Sequence, residues 1–203
     1  YICFGCGEKG DVFSFVQKIE GIDFPTALKQ LAEKAGVKLE KRFIPKQENK
    51  DKEERLYLAC EEAATFFESK LGEHKDVQNY LRTRGVKDET VVLWRLGYAP
   101  PAWEELSSYL IGKGFTKEEI VEAGLAIKSE KKAGEIYDRF RGRIMFPMAD
   151  AGGSVVAFSG RFFEKVPGSK GDTEPAKYVN SPETDIFKKS KVLYGLDRAK
   201  GFI

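Results

Sequence analysis

One histidine, three cysteines and no Asp-x-Asp string leave this 203-residue sequence little apparatus for chemistry of its own. No nucleophile–base–acid set can be assembled from it, and no carboxylate pair suggests a metal centre for phosphoryl transfer. The adjacent acids Glu61-Glu62 and Glu118-Glu119 fall on helical stretches, where solvation or capping accounts for them. No apolar run reaches membrane length, which predicts a soluble, cytoplasmic protein with no membrane partner. A secretory signal is also lacking. The opening Tyr1-Ile2-Cys3-Phe4-Gly5-Cys6 has no initiator Met and reads as the middle of a domain, and Gly201-Phe202-Ile203 stops without a terminator. The sequence is therefore expected to be part of a longer chain.

What is present is unevenly distributed. The net charge is only +2, yet Asp138–Ile203 holds 12 Lys/Arg against 8 Asp/Glu, while residues 1–137 hold 22 against 24. A basic last third suits a polyanionic partner. Val12, Phe13, Phe15, Val16 and Ile19 recur at helical spacing behind Asp11, a natural N-cap, and Gly21 closes that helix. Pro25 opens a second, with Ala27, Leu28, Leu31 and Ala35 on its apolar side and Gly36 at its end. Glu40–Arg55 is mostly charged and without apolar period, and is read as a linker. A long helix follows, buried through Leu56, Cys60, Ala63, Ala64, Phe67 and Leu71. Helices are predicted over Asp76–Arg84, Asp88–Leu96, Trp103–Gly112 and Thr116–Ala123, the last opened by a Thr116–Glu119 capping box. Gly97–Pro101 interrupts them. Beyond residue 124 the period falls to two, giving strands at Arg143–Ala149, Ser154–Phe163, Lys177–Val179 and Lys191–Tyr194. Pro147 confines the first of these to an edge or a bulge. The fold class is α+β, with helices first and a small, mostly antiparallel sheet last.

Cys3-Phe4-Gly5-Cys6 has the spacing with which one tight turn aims two thiolates at a tetrahedral zinc ion. A redox pair or a coincidence would leave the same string, although a redox pair usually follows a strand and opens a long helix. Two thiolates are half of a zinc site. Cys60 lies on an apolar stripe, which makes it a core residue, and His74 stands alone in a polar stretch, which suggests an exposed one.

Arg139, Arg141 and Arg143 interleave with Tyr137 and Phe140 just before a strand, pairing guanidinium forks suited to phosphate with ring faces suited to bases. The next strand puts Val155, Ala157, Ser159 and Arg161 on a mostly small face, where a nucleic-acid backbone could lie close. Lys177, Tyr178 and Asn180 follow, then Lys188, Lys189 and Lys191.

At these residues the sequence resembles the bacterial (DnaG-type) DNA primases. The resemblance is carried by Cys3–Gly7 with Gly10-Asp11, Tyr80-Leu81 with Arg84-Gly85, Leu96–Pro100 with Trp103, Tyr137–Pro147, Ala157–Arg161, Lys177–Thr184 and Leu193–Leu196, in that order. It implies synthesis of short RNA primers on a single-stranded DNA template from NTPs, and a replicative helicase as partner through a region outside this sequence. It implies phosphate-binding roles for Arg84, Arg161, Lys177 and Lys189 and zinc ligation by Cys3 and Cys6. The acids for Mg or Mn would lie beyond Ile203, in a Toprim subdomain beginning near Leu193. Residues 1–39 would be the end of a zinc-binding domain, 40–55 a linker and 56–192 a basic subdomain of the RNA polymerase domain. Ser159 and Ala176 depart from the family's usual Gly and Pro. A non-catalytic zinc-ribbon DNA-binding protein and a phage primase-helicase are the alternatives.

Overall fold

A computed structural model describes residues 1–22, 24–37, 47–130, 132–167 and 175–200. Helices α1 (Val12–Glu20) and α2 (Phe24–Lys34) follow the cysteine turn. The carboxylate of Asp11 caps α1 by accepting the Ser14 N–H at 2.8 Å, and Gly21 ends it at φ 66°, a left-handed conformation open to glycine at little cost.

The long helix α3 (Gln47–Glu73) starts well inside the stretch read as a linker. Residues 40–46 lie outside the described residues. Charge without apolar period looks like a linker, but tertiary ion pairs give this end of α3 a docked face. Lys52 meets Glu122 at 3.2 Å and Asp185 at 3.3 Å, and Arg55 grips Glu119 at 2.7 Å while its guanidinium covers the Phe115 ring.

The remaining helices are α4 (Lys75–Thr83), α5 (Asp88–Leu93), α6 (Glu105–Gly112), α7 (Lys117–Glu122) and α8 (Leu196–Ala199). The capping box on α7 is formed from both sides: Glu119 N–H reaches the Thr116 hydroxyl, and Thr116 N–H reaches the Glu119 carboxylate. Strands β1 (Gly97–Ala99), β4 (Arg143–Ala149), β5 (Val155–Phe162) and β6 (Tyr178–Asn180) form one antiparallel sheet in the order β1-β4-β5-β6, and β2 (Ala126–Lys128) pairs with β3 (Ile136–Asp138) in a second. The α+β class stands. Four of these strands, β1, β2, β3 and β6, have only three residues each, too few to show an alternation in sequence, and of these only β6 overlaps an expected strand. Lys191–Tyr194 is a turn leading into α8 rather than a strand.

β1 begins at Gly97 opposite Met145 and runs away from Pro147, so among the described residues Pro147 lies where β5 alone flanks β4, one residue before the register shift at Met148/Ala149. A missing N–H costs nothing there. The β4–β5 turn is tied by the Asp150 carboxylate, which accepts the N–H groups of Gly152 at 2.8 Å and Ser154 at 3.0 Å.

α3 lies on one face of the main sheet. Its Leu56, Cys60, Ala63, Ala64 and Phe67 are buried with Met145 and Phe158, and the core extends to α6 and α7. Burial pushes the Cys60 thiol up to about 12, as suits a small core residue. Gly97 is required where β1 meets α3, because a Cβ there would come within 2.7 Å of the Phe67 carbonyl carbon. His74 is half-buried rather than exposed: its ring lies 4.7 Å from that of Tyr98, and its Nδ1 is 2.7 Å from the Lys70 carbonyl.

Candidate nucleic-acid interface

Cross-strand partners share a face of a sheet. On the face turned away from α3, the register aligns Tyr98, Ile144, Arg161 and Tyr178 in one row and Phe146, Ser159 and Asn180 in the next. α4 covers the first part of this face, burying Tyr98 and Ile144 with Val77 and Leu81. Ala157, expected on an open small-residue face, is fully buried in a cluster with Phe187. What stays open is the β5–β6 side between these two covers: Arg161, Ser159, Tyr178, which is 53% exposed, and Asn180.

Arg161 is held in place. Its Nη1 donates to the Tyr80 hydroxyl, and the guanidinium carbon is 5.2 Å from the Tyr80 ring centre. The Tyr80 oxygen is the main cause, and the neighbouring Tyr178 a lesser one, holding this guanidinium above its ordinary basicity. Tyr80 itself is braced edge-on by Phe163 at 5.5 Å. Sequence reading gave Tyr80 no role. Its signal was the Tyr80–Arg84 spacing, which sets both residues on one side of α4. Arg84 follows the last turn of that helix and is exposed. Lys177, also exposed, leads into β6, and its carbonyl accepts the Phe162 N–H at 2.8 Å.

The three interleaved arginines go elsewhere. Arg143 lies on the opposite sheet face beside Phe162 and is 7% exposed, with Nη1 donating to the carbonyls of Gly160 at 3.1 Å and Ala176 at 2.9 Å. Arg141 donates to the Asp138 carbonyl and lies over the rings of Trp103 at 4.6 Å and Tyr137 at 5.2 Å. Arg139 reaches the Asn180 carbonyl at 3.3 Å. Burial lowers the basicity of all three, and among the described residues none forms an ion pair. Lys189 is exposed on the turn after Phe187, its backbone N–H donating to the Glu183 carboxylate at 3.1 Å.

At the other end of the chain, Cys3 and Cys6 share a tight turn. An isolated bridge joins Ile2 and Lys9, the Cys3 N–H donates to the Glu8 carbonyl at 2.7 Å, and the Gly7 N–H donates to the Cys3 carbonyl at 2.9 Å with Gly7 at φ 75°. The Cys6 amide, then the Cys6 thiol and the Gly5 amide, draw the Cys3 thiol below its ordinary pKa. Both thiols are exposed. Two thiolates on one turn are the donors a zinc ion takes, and they fill two of its four tetrahedral positions.

Residues 66–200 match the family described as DNA primase catalytic core, N-terminal domain. The chain belongs to the DnaG-type bacterial DNA primases. Residues 1–47 match the CHC2 zinc finger, so this end of the primase chain is a zinc-binding region, with Cys3 and Cys6 the residues that would hold the metal. The chain is 42% identical to the DNA primase of Deinococcus radiodurans and 40% identical to that of Clostridium acetobutylicum, in each case over 98% of this chain and 32% of the relative. It thus spans about a third of the length of these primases. The zinc-binding and RNA polymerase domains of Aquifex aeolicus primase cover 100% of this chain and 46% of that one, at 32% identity and a TM-score of 0.65. A structure of a DnaG primase catalytic domain bound to ssDNA covers 75% of this chain and 46% of that one, again at 32% identity and a TM-score of 0.65.

Proposed function

We propose that this chain is the template- and phosphate-gripping part of a primase that makes short RNA primers on single-stranded DNA. The open β5–β6 face carries the reading: a positioned guanidinium (Arg161), an exposed ring (Tyr178) and an amide (Asn180) lie side by side on the sheet. Guanidinium suits phosphate and the ring suits an unstacked base, which is the pairing that single-strand binding needs. Lys177, one residue before Tyr178, and Arg84, at the end of α4, are exposed cations at the margins of this face, and Lys189 serves a neighbouring phosphate of template or nucleotide. Arg139 borders the face through Asn180. The relative whose catalytic domain was solved with ssDNA supports the same ligand.

In the whole protein, acids beyond Ile203 hold Mg or Mn and a Toprim subdomain starts near Leu193, while NTPs and the growing RNA primer share the cleft. The zinc site is completed by two ligands from outside the present sequence. A replicative helicase is recruited through a further region. The cytoplasm is the working compartment; among the described residues no helix is long and apolar enough to cross a membrane.

The test is a titration of a fluorescent single-stranded oligodeoxynucleotide across a range of salt, for the chain and for Arg161→Ala/Lys177→Ala. Each phosphate contact contributes about 0.7 to the log–log slope, so the double variant should lose about 1.4. Equal slopes would remove this face from the template path.

A further inference from the structure

We propose that Arg143 is a positioning residue: it fixes the approach of the chain to β6, and so the placement of Lys177 and Tyr178, without touching nucleic acid itself. The proposal rests on the template reading above for its functional consequence, but its structural half stands apart.

β6 is weakly held by ordinary standards. It is an edge strand of three residues that follows a long connection from β5, and its ladder consists of the pairs Tyr178–Arg161, Val179–Gly160 and Asn180–Ser159. Its C-terminal side is clamped by Ser181, whose N–H donates to the Phe158 carbonyl at 2.9 Å and whose hydroxyl accepts the Phe158 N–H at 3.0 Å. Among the described residues, the N-terminal side, where Lys177 lies, has two ties beyond the ladder. One is the Phe162 N–H bonded to the Lys177 carbonyl. The other is Arg143. Its Nη1 joins the Gly160 carbonyl, inside β5, to the Ala176 carbonyl, one residue before Lys177. One buried cation thereby holds two strands together.

The surroundings are built for that position. Gly160 opposes the arginine stem so closely that a Cβ there would lie 3.0 Å from Arg143 Cδ, and the guanidinium lies 5.9 Å from the centre of the Phe162 ring. At 7% exposure on the face away from Arg161, the side chain has no route to a strand lying on the open face. Lysine is one bond shorter and carries a compact, strongly hydrated charge, so it is a poor substitute for a buried bridge of this reach.

The experiment compares the chain with Arg143→Lys, Arg143→Gln, Lys177→Ala and Arg143→Gln/Lys177→Ala. It reads hydrogen exchange of the 175–181 segment, thermal midpoint, and the salt slope for a fluorescent single-stranded oligodeoxynucleotide. Faster exchange confined to 175–181 is expected in both Arg143 variants. Each should lose about the slope that Lys177→Ala loses, roughly 0.7, and the double variant no more than either single. Unchanged exchange with a double variant that loses about 1.4 would make Arg143 a phosphate contact and overturn the proposal. So would full binding by Arg143→Lys, or exchange that rises throughout the sheet. If Lys177→Ala alone leaves the slope unchanged, the template reading of Lys177 fails, and the exchange arm by itself decides for or against Arg143.

Discussion

Tyr80, in the last turn of α4, accepts a hydrogen bond from Arg161 in the middle of the sheet, and the two meet across 81 residues of sequence. The contact ties a helix covering that face to the strongest candidate for a phosphate contact. Helix placement and the position of the Arg161 guanidinium are therefore linked through one hydroxyl.

Tyr80→Phe removes the hydroxyl and keeps the ring braced by Phe163. A hydrogen bond of this kind is worth about 1 kcal/mol, so oligonucleotide affinity should drop about five-fold while the thermal midpoint stays near that of the parent. Fluorescence anisotropy beside a melting curve separates the two. A lowered midpoint with unchanged affinity would make the bond structural only.

Asp138 is a buried cap for a helix elsewhere in sequence. Its carboxylate accepts the N–H groups of Leu106 at 2.8 Å and Ser107 at 2.9 Å, together with the Ser107 hydroxyl, at the start of α6. Asp138→Ala strands these donors and should cost about 2–4 kcal/mol. Asp138→Asn keeps an accepting oxygen and should cost less. Urea denaturation gives the order, and equal costs would mean that the cap contributes nothing.

Acid should loosen the attachment of α3 to α7. The Arg55 guanidinium first, and then the Thr116 amide, hold the Glu119 carboxyl down at about 2, against an ordinary 4.5. The unfolded chain therefore binds more protons than the folded one in this window. The pair's contribution is complete above about pH 4.5 and lost as the pH falls towards 2. Glu119→Gln should remove that part of the acid dependence, read as a shallower fall of stability between those limits. An unchanged profile would put the acid sensitivity in other carboxylates.

Gly97→Ala tests the close approach of β1 to α3. The added methyl meets the Phe67 backbone, which belongs to a helix and cannot yield, so overpacking should cost about 1–3 kcal/mol. Gly72→Ala is the control, since nothing lies within 4 Å of its Cβ position. Equal denaturation midpoints for the two variants would refute the tight contact.

Helices long enough to show a period could be read from sequence. The stripe Leu56 to Leu71 is buried as its spacing predicted, and the Asp11 cap and the Thr116–Glu119 box are formed. What could not be read depended on partners distant in sequence. The charged start of α3 has no local sign of its docking to Glu119, Glu122 and Asp185. The three-residue strands exist because a neighbour pairs with them. The same holds at the site. Arg161, Tyr178 and Asn180 were visible as residue types, but the pleat that sends Arg143 to the opposite face, and the helix that brings Tyr80 to Arg161, come only from register and packing.

His74 is the single histidine of the chain, and it lies with its ring against Tyr98 where α3 gives way to α4. Its imidazole protons therefore give a proton NMR signal that needs no assignment, displaced by the ring current of the tyrosine. Because α4 also carries Tyr80, that one resonance is a built-in gauge of whether the helix stays seated when an oligonucleotide is added.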